Sequence, residues 1–207
     1  MKYITGHVWL SEGTSRDSIL LQQIQYGRQN LVLACVCDGG TAGAEITGQL
    51  MLWLAEEGLY FFDKRKTDKR IERELEHRLN SWQTDAGQEV NLSGILIADQ
   101  DCWLMQGKEG CIYLLNRRFQ KTHRRVLSQA ASAGFQVTEG RVQKNVGILL
   151  GGKAFLNSVP KETMLQCLAA QDITREEQID RRLAELAGES RRQRYAGACS
   201  AVYIRSV

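Results

Sequence analysis

The segment Leu31–Cys37, Leu-Val-Leu-Ala-Cys-Val-Cys, is apolar at every position and stops abruptly at Asp38-Gly39-Gly40. A strand of alternating pattern buries one face. A run that is apolar throughout reads as a strand covered on both faces. The chain must therefore supply layers on two sides of this strand. Its 207 residues, 43% hydrophobic with one proline, suffice for a sizeable core. That balance excludes a disordered chain, a proline-rich linker and a collagen-like repeat. One domain spanning 1–207 is expected. The net charge of +3 is too small to imply nucleic acid by itself.

Other patterns supply the layers. Lys2–Leu10 and Ser18–Gln25 read as strands, and Asn30–Cys37 as the third. Ala42–Gly58 and Asp68–Gln83 read as helices; in the second, Ile71, Leu75, Leu79 and Trp82 form one stripe. Leu92–Ala98, Cys102–Met105 and Cys111–Leu115, with short polar turns, predict an antiparallel meander. Asn116–Arg125 is basic and reads as irregular, Val126–Ala133 as a short helix, Gly134–Arg141 as loop or hairpin, and Val146–Leu150 as a buried strand. A helix beginning near Pro160 follows. The next helix opens on Thr174-Arg-Glu-Glu177, a capping-box sequence, and carries Ile179, Leu183 and Leu186. Cys199–Ile204 is a final strand. Helices come in pairs between groups of antiparallel strands. That order predicts an α+β fold: a four-layer α-β-β-α sandwich with two antiparallel sheets face to face, flanked by helix pairs.

No stretch approaches the ~20 apolar residues of a membrane span, and Met1–Gly13 lacks the apolar core of a secretory signal. A cytoplasmic location without membrane partners is expected. The six cysteines lack metal-ligand spacing and read as small buried hydrophobes. Read alone, Asp38-Gly39-Gly40 is a turn in which Asp38 caps the next helix and glycine supplies positive φ.

The order of these segments resembles the protein phosphatase 2C family of metal-dependent serine/threonine phosphatases. The resemblance is carried by LVLACVCDGGTAGAEITGQL, by Thr14-Ser-Arg-Asp17-Ser-Ile-Leu, by Lys108-Glu-Gly-Cys-Ile-Tyr-Leu-Leu115, by VGILLGGKAFLNSVPKETMLQCL and by GACSAVYIRSV. The family hydrolyses phosphoserine and phosphothreonine with two magnesium or manganese ions, held by carboxylates and waters. The resemblance implies that Asp38 and the Gly39 carbonyl remain from the first metal site, and that Asp17 belongs to its water shell. It aligns Lys153 with a metal-binding Asp of the second site and Gly197 with another. Glu109 stands at an Asp of a turn, and Glu12 at the phosphate-binding Arg. Lys153 is expected to pair with Asp38 or Asp17 in place of an ion.

These exchanges identify a divergent, bacterial-type relative with a degenerate metal site. The resemblance then implies a weak or inactive pseudophosphatase that binds a phosphoprotein or a protein kinase, with room for at most one magnesium or manganese ion. Two other readings stand beside it. One is an active magnesium- or manganese-dependent phosphatase using Asp17, Asp38 and Glu109. The other is a basic adaptor whose Arg117, Arg118, Lys121, His123, Arg124 and Arg125 bind nucleic acid, disfavoured because aromatic residues are sparse among the cations.

Overall fold

The computed structural model describes residues 1–10, 17–63, 69–118, 121–126, 134–168, 173–192 and 198–207. Two five-stranded antiparallel sheets stack face to face. Sheet 1 runs β1 (Tyr3–Leu10), β10 (Cys199–Ser206), β9 (Val146–Gly151), β6 (Cys111–Arg118) and β7 (Lys121–Val126). Sheet 2 runs β2 (Ser18–Tyr26), β3 (Gln29–Asp38), β4 (Asn91–Ala98), β5 (Asp101–Gln106) and β8 (Gln136–Arg141). Helices α1 (Thr41–Trp53), α2 (Leu59–Asp63) and α3 (Lys69–Ala86) belong to the sheet 2 side. Helices α4 (Lys153–Ser158), α5 (Lys161–Leu168) and α6 (Glu176–Arg192) belong to the sheet 1 side. This is the expected four-layer α-β-β-α sandwich.

Strand β3 shows why the layers are needed. Its residues alternate between two cores, as strand geometry requires. Leu31, Leu33, Cys35 and Cys37 pack with Ile71, Leu75 and Leu79 of α3 and with Ile46 and Leu50 of α1. Val32, Ala34 and Val36 pack between the sheets with Ile148, Leu150, Val202 and Ile204. A third core joins sheet 1 to α6 through Ile179, Leu183 and Leu186. The six cysteines form no disulfide. Among the described residues no helix is long and apolar enough to cross a membrane.

Several local expectations are corrected. The meander breaks after its second strand: β4 pairs with β5, but β6 crosses to sheet 1 and pairs with β7 and β9. The crossing needs glycine at 110, where a Cβ would collide with the Leu92 carbonyl oxygen. The basic segment Asn116–Arg125 is not irregular but lies largely within the β6–β7 hairpin, and Gln136–Arg141 is a full strand paired with β5. Val126 ends β7; the rest of the expected Val126–Ala133 helix lies outside the described residues. Helix α1 passes into a π-helical turn, Leu54–Gly58, and then α2, so helical structure reaches Asp63. At α6 the capping partner is Gln178 rather than Glu177: its Oε1 accepts from the Thr174 and Arg175 amides at 2.7 and 3.1 Å.

Candidate functional site

Strand ends converge at one edge of the sandwich. β3 ends at Asp38, directly opposite Asn91, the first residue of β4. β9 ends at Gly151, beside the start of β10, and Lys153 opens α4 just beyond it. The turn from Gly107 to Gly110 brings Glu109 to the same place, its amide donating to Asn91 Oδ1 at 3.2 Å.

Asp38 does not cap α1. The helix N-cap is Gly40, with φ 61° and no side-chain hydrogen bond, and Gly39 before it has φ 129°. Both values favour glycine. The double glycine turns the chain into the helix and leaves the Asp38 carboxyl for other partners. Burial raises its pKa, while a hydrogen bond from Asn91 and the nearby Lys153 charge pull it back down.

Asp17 lies deeper, 7% exposed. Its carboxylate accepts a short hydrogen bond from the Ser200 hydroxyl of β10. Burial pushes its pKa up to about 6, Ser200 opposes that, and Asp38 adds repulsion. Gly152 makes this approach possible. A Cβ there would stand 2.7 Å from Asp17 Oδ2 and 2.8 Å from Ser200 Oγ. Trp9 Nε1 donates to the Asp17 carbonyl oxygen at 3.0 Å. A cleft of about 490 Å³, lined by His7, Trp9, Asp17, Ser18, Ile19 and Leu21, opens here between the edge strands β1 and β2.

Lys153 does not form its ion pair with Asp38 or Asp17, as expected, but with Glu109. Its Nζ lies 2.7 Å from Glu109 Oε2, and both side chains are about half exposed. The pair holds Glu109 below the usual carboxylate range and raises the Lys153 pKa. Two expected members, Glu12 and Gly197, lie outside the described residues. The structure thus gathers Asp17, Asp38, Gly39, Glu109 and Lys153, and adds Asn91 and Ser200. Each of the added residues is a polar side chain at the start of an apolar strand. The sequence marks them as exceptions, but Asn91 meets Asp38 through strand register and Ser200 meets Asp17 through the stacking of the two sheets.

Among the described residues, no three His, Cys, Asp or Glu side chains converge as metal ligands. Each carboxylate has a neighbour: Asp17 accepts from Ser200, Asn91 lowers the pKa of Asp38, and Glu109 pairs with Lys153.

No protein-family model matches the sequence, and no curated protein matches it significantly. Solved structures do. The manganese-bound catalytic domain of the serine/threonine phosphatase PstP superposes with a TM-score of 0.66 at 13% identity, over 99% of each chain. Stp1 of Staphylococcus aureus gives 0.68 at 11% identity, over 97% of this chain and 94% of that one. The phosphatase domain of SpoIIE, a cell fate determinant of Bacillus subtilis, gives 0.62 at 13% identity, over 99% and 92%. The chain has the phosphatase-2C fold. PstP carries two manganese ions on that fold. In this chain the cluster of strand ends holds an ammonium group and its carboxylate partner.

Proposed function

We propose that this chain is a phosphatase-2C-fold protein whose catalytic centre has become a binding site: a pseudophosphatase that serves as a regulatory module for a phosphoprotein or a protein kinase. The observation that carries this reading is the Lys153–Glu109 ion pair, whose cation acts on Asp38. Two-metal hydrolysis needs carboxylates on both ions to hold them and activate water. Here the residue aligned with one second-site Asp is a cation, and the residue aligned with another is Gly197, which has no side chain to ligate. The donor set does not fit two ions. Asp38 and the Gly39 carbonyl, with Asp17 behind them, are donors of the hard type a single magnesium or manganese ion would take.

The same cluster also holds one cation that a phosphoryl group would seek, set against the charges of Asp38 and Glu109. Lys153 is an exposed cation, and Glu109 is the anion it holds when no phosphate competes. Displacing Glu109 would let the ammonium donate to phosphoryl oxygens, a charge-assisted contact. Gly39, Gly40 and Gly152 keep the surrounding backbone free of side chains.

Calorimetric titration with manganese, alongside hydrolysis of a phosphoserine peptide, tests the proposal. No tight two-site binding and no metal-dependent turnover are expected, while the phosphopeptide binds and Lys153→Ala weakens it at least fivefold. Robust turnover abolished by Asp38→Ala would establish the active phosphatase instead.

A further inference from the structure

Four strands border the two sheets, and three of them are guarded against further pairing. β7 and β8 are six residues long and carry charged residues in their sequences, which blunts an edge. In β8 the Val137 amide also donates to Glu76 of α3. β1 has no Lys, Arg, Asp or Glu, but its neighbours reach its backbone. The His7 amide donates to Asp180 of α6 at 2.9 Å, and Gln23 donates to the Tyr3 carbonyl oxygen at 3.4 Å. β2 is the exception. Its nine residues, Ser-Ile-Leu-Leu-Gln-Gln-Ile-Gln-Tyr, include no charge, proline or glycine.

The register shows which groups of β2 are open. The Asn30 amide and carbonyl oxygen both bond Asp99, away from β2, and Asn30 lies opposite Gln25. Gln25 therefore belongs to a pair without mutual hydrogen bonds, and so do Gln23, Leu21 and Ile19 at alternate positions. The amides and carbonyl oxygens of these four residues point off the sheet. No hydrogen bond from a described residue reaches them there. The edge also begins at the candidate site: Asp17 precedes it, and Ser18 lies opposite Cys37, next to Asp38. Beside it runs the cleft, where Ile19 and Leu21 face Trp9 of β1, an indole left 53% exposed.

We infer that β2 is a docking edge for an extended, uncharged segment that adjoins the partner's phosphorylated residue and adds to sheet 2 as a further strand. This rests on the phosphoprotein-binding reading above and specifies the partner. Backbone hydrogen bonds to the four open residues supply affinity, and alternate side chains of the segment enter the cleft, so they are apolar. β2 has no charge to pair with a charged segment. One strand fits better than a second copy of the chain, because pairing β2 with β2 would bring the second copy's β1 into the cleft that the first β1 already borders.

The test uses the full chain and three peptides: phosphoserine with four Val-Thr repeats on each side, the same peptide without phosphate, and the phosphorylated peptide with proline at every second flanking position, which removes the amides a strand needs. Binding is followed by fluorescence anisotropy, and amide hydrogen exchange over Ser18–Tyr26. The Val-Thr phosphopeptide should bind and slow exchange at Ile19, Leu21 and Gln23, and the proline peptide should bind at least tenfold more weakly. Gln23→Pro, which removes an open amide from the edge, should cost the same tenfold and Trp9→Ala at least threefold. Lys153→Ala should remove only the increment due to phosphate. Should circular dichroism show Gln23→Pro to be misfolded, Gln25→Pro takes its place with a loss of at least threefold.

Equal affinity for the Val-Thr and proline phosphopeptides overturns the docking edge, as does binding unchanged in Gln23→Pro and Trp9→Ala. A dimer in sedimentation that Gln23→Pro dissolves, with no peptide bound, also overturns it and assigns β2 to a second copy. Equal binding of the Val-Thr peptide with and without phosphate would leave the docking edge standing and remove the phosphoprotein reading. No binding of any peptide by a folded monomer overturns both.

Discussion

Asp17 works against the fold when it is ionised. Its native pKa of about 6 lies above the ordinary 3.8, chiefly through burial. Between those values the native state binds the extra proton, so stability falls as pH rises through the window and stays reduced above it. Replacing Asp17 with Asn keeps an acceptor for Ser200 and removes the charge. Asp17→Asn is expected to stabilise the protein by roughly 1–2 kcal/mol at pH 7 and to have no effect near pH 3.5. Thermal melts of both proteins at the two pH values check this; equal shifts at both would show that charge burial is not the cause. Lys153 makes the opposite case. Its pair with Glu109 is about half exposed, so Lys153→Ala should leave the melting temperature nearly unchanged while altering phosphopeptide binding. A residue that matters for binding and hardly for stability is what a site residue should look like.

Among the elements, two glycines give predictions of opposite sign. Gly110 sits where β6 leaves sheet 2, and a Cβ there would strike the Leu92 carbonyl. Gly110→Ala is expected to cost about 3 kcal/mol or more, because backbone must move against backbone. Gly48 is exposed within α1 and has nothing near its missing Cβ. Gly48→Ala should stabilise by about 0.5–1 kcal/mol. Chemical denaturation of the two variants checks both signs. The contrast also bears on what could be read without coordinates. The stripe Ile71, Leu75, Leu79 announced α3, because a helical period needs only local sequence. β7 and β8 were missed, since Lys-Thr-His-Arg-Arg-Val and Gln-Val-Thr-Glu-Gly-Arg become strands through their neighbours β6 and β5. In the same way, the resemblance brings Asp38 and Lys153 to one place, and the structure sets the Lys153 charge near Asp38. The pairing of Lys153 with Glu109 was not legible, because it depends on where the Gly107–Gly110 turn carries Glu109 after β6 changes sheets. Asn91 and Ser200 are hidden for a similar reason: Asn91 meets Asp38 through strand pairing, and Ser200 meets Asp17 through the stacking of the two sheets.

At the scale of the molecule, three cores share two sheets, so neither sheet has a face to spare. Trp53, Trp82 and Trp103 pack in the core between sheet 2 and its helices. Trp9 alone lies on sheet 1. If the layers unfold as one unit, tryptophan fluorescence, which weights the sheet 2 side, will give the same urea midpoint as far-ultraviolet circular dichroism, which weights both. Separate midpoints would show that the two halves are independently stable. The strand order has a further consequence during synthesis. Sheet 2 is complete once Arg141 has emerged, but sheet 1 still lacks β9 and β10, and Tyr3 of β1 waits for Ser206. At ~5–20 residues per second, the ribosome needs about 3–13 s for the remaining stretch. Throughout that interval Val32, Ala34, Val36, Ile95 and Ile97 present an oily surface with no second sheet to cover it. The growing chain is therefore most exposed to chaperone capture, and to misassembly with its neighbours on the same message, after sheet 2 is complete and before β10 emerges.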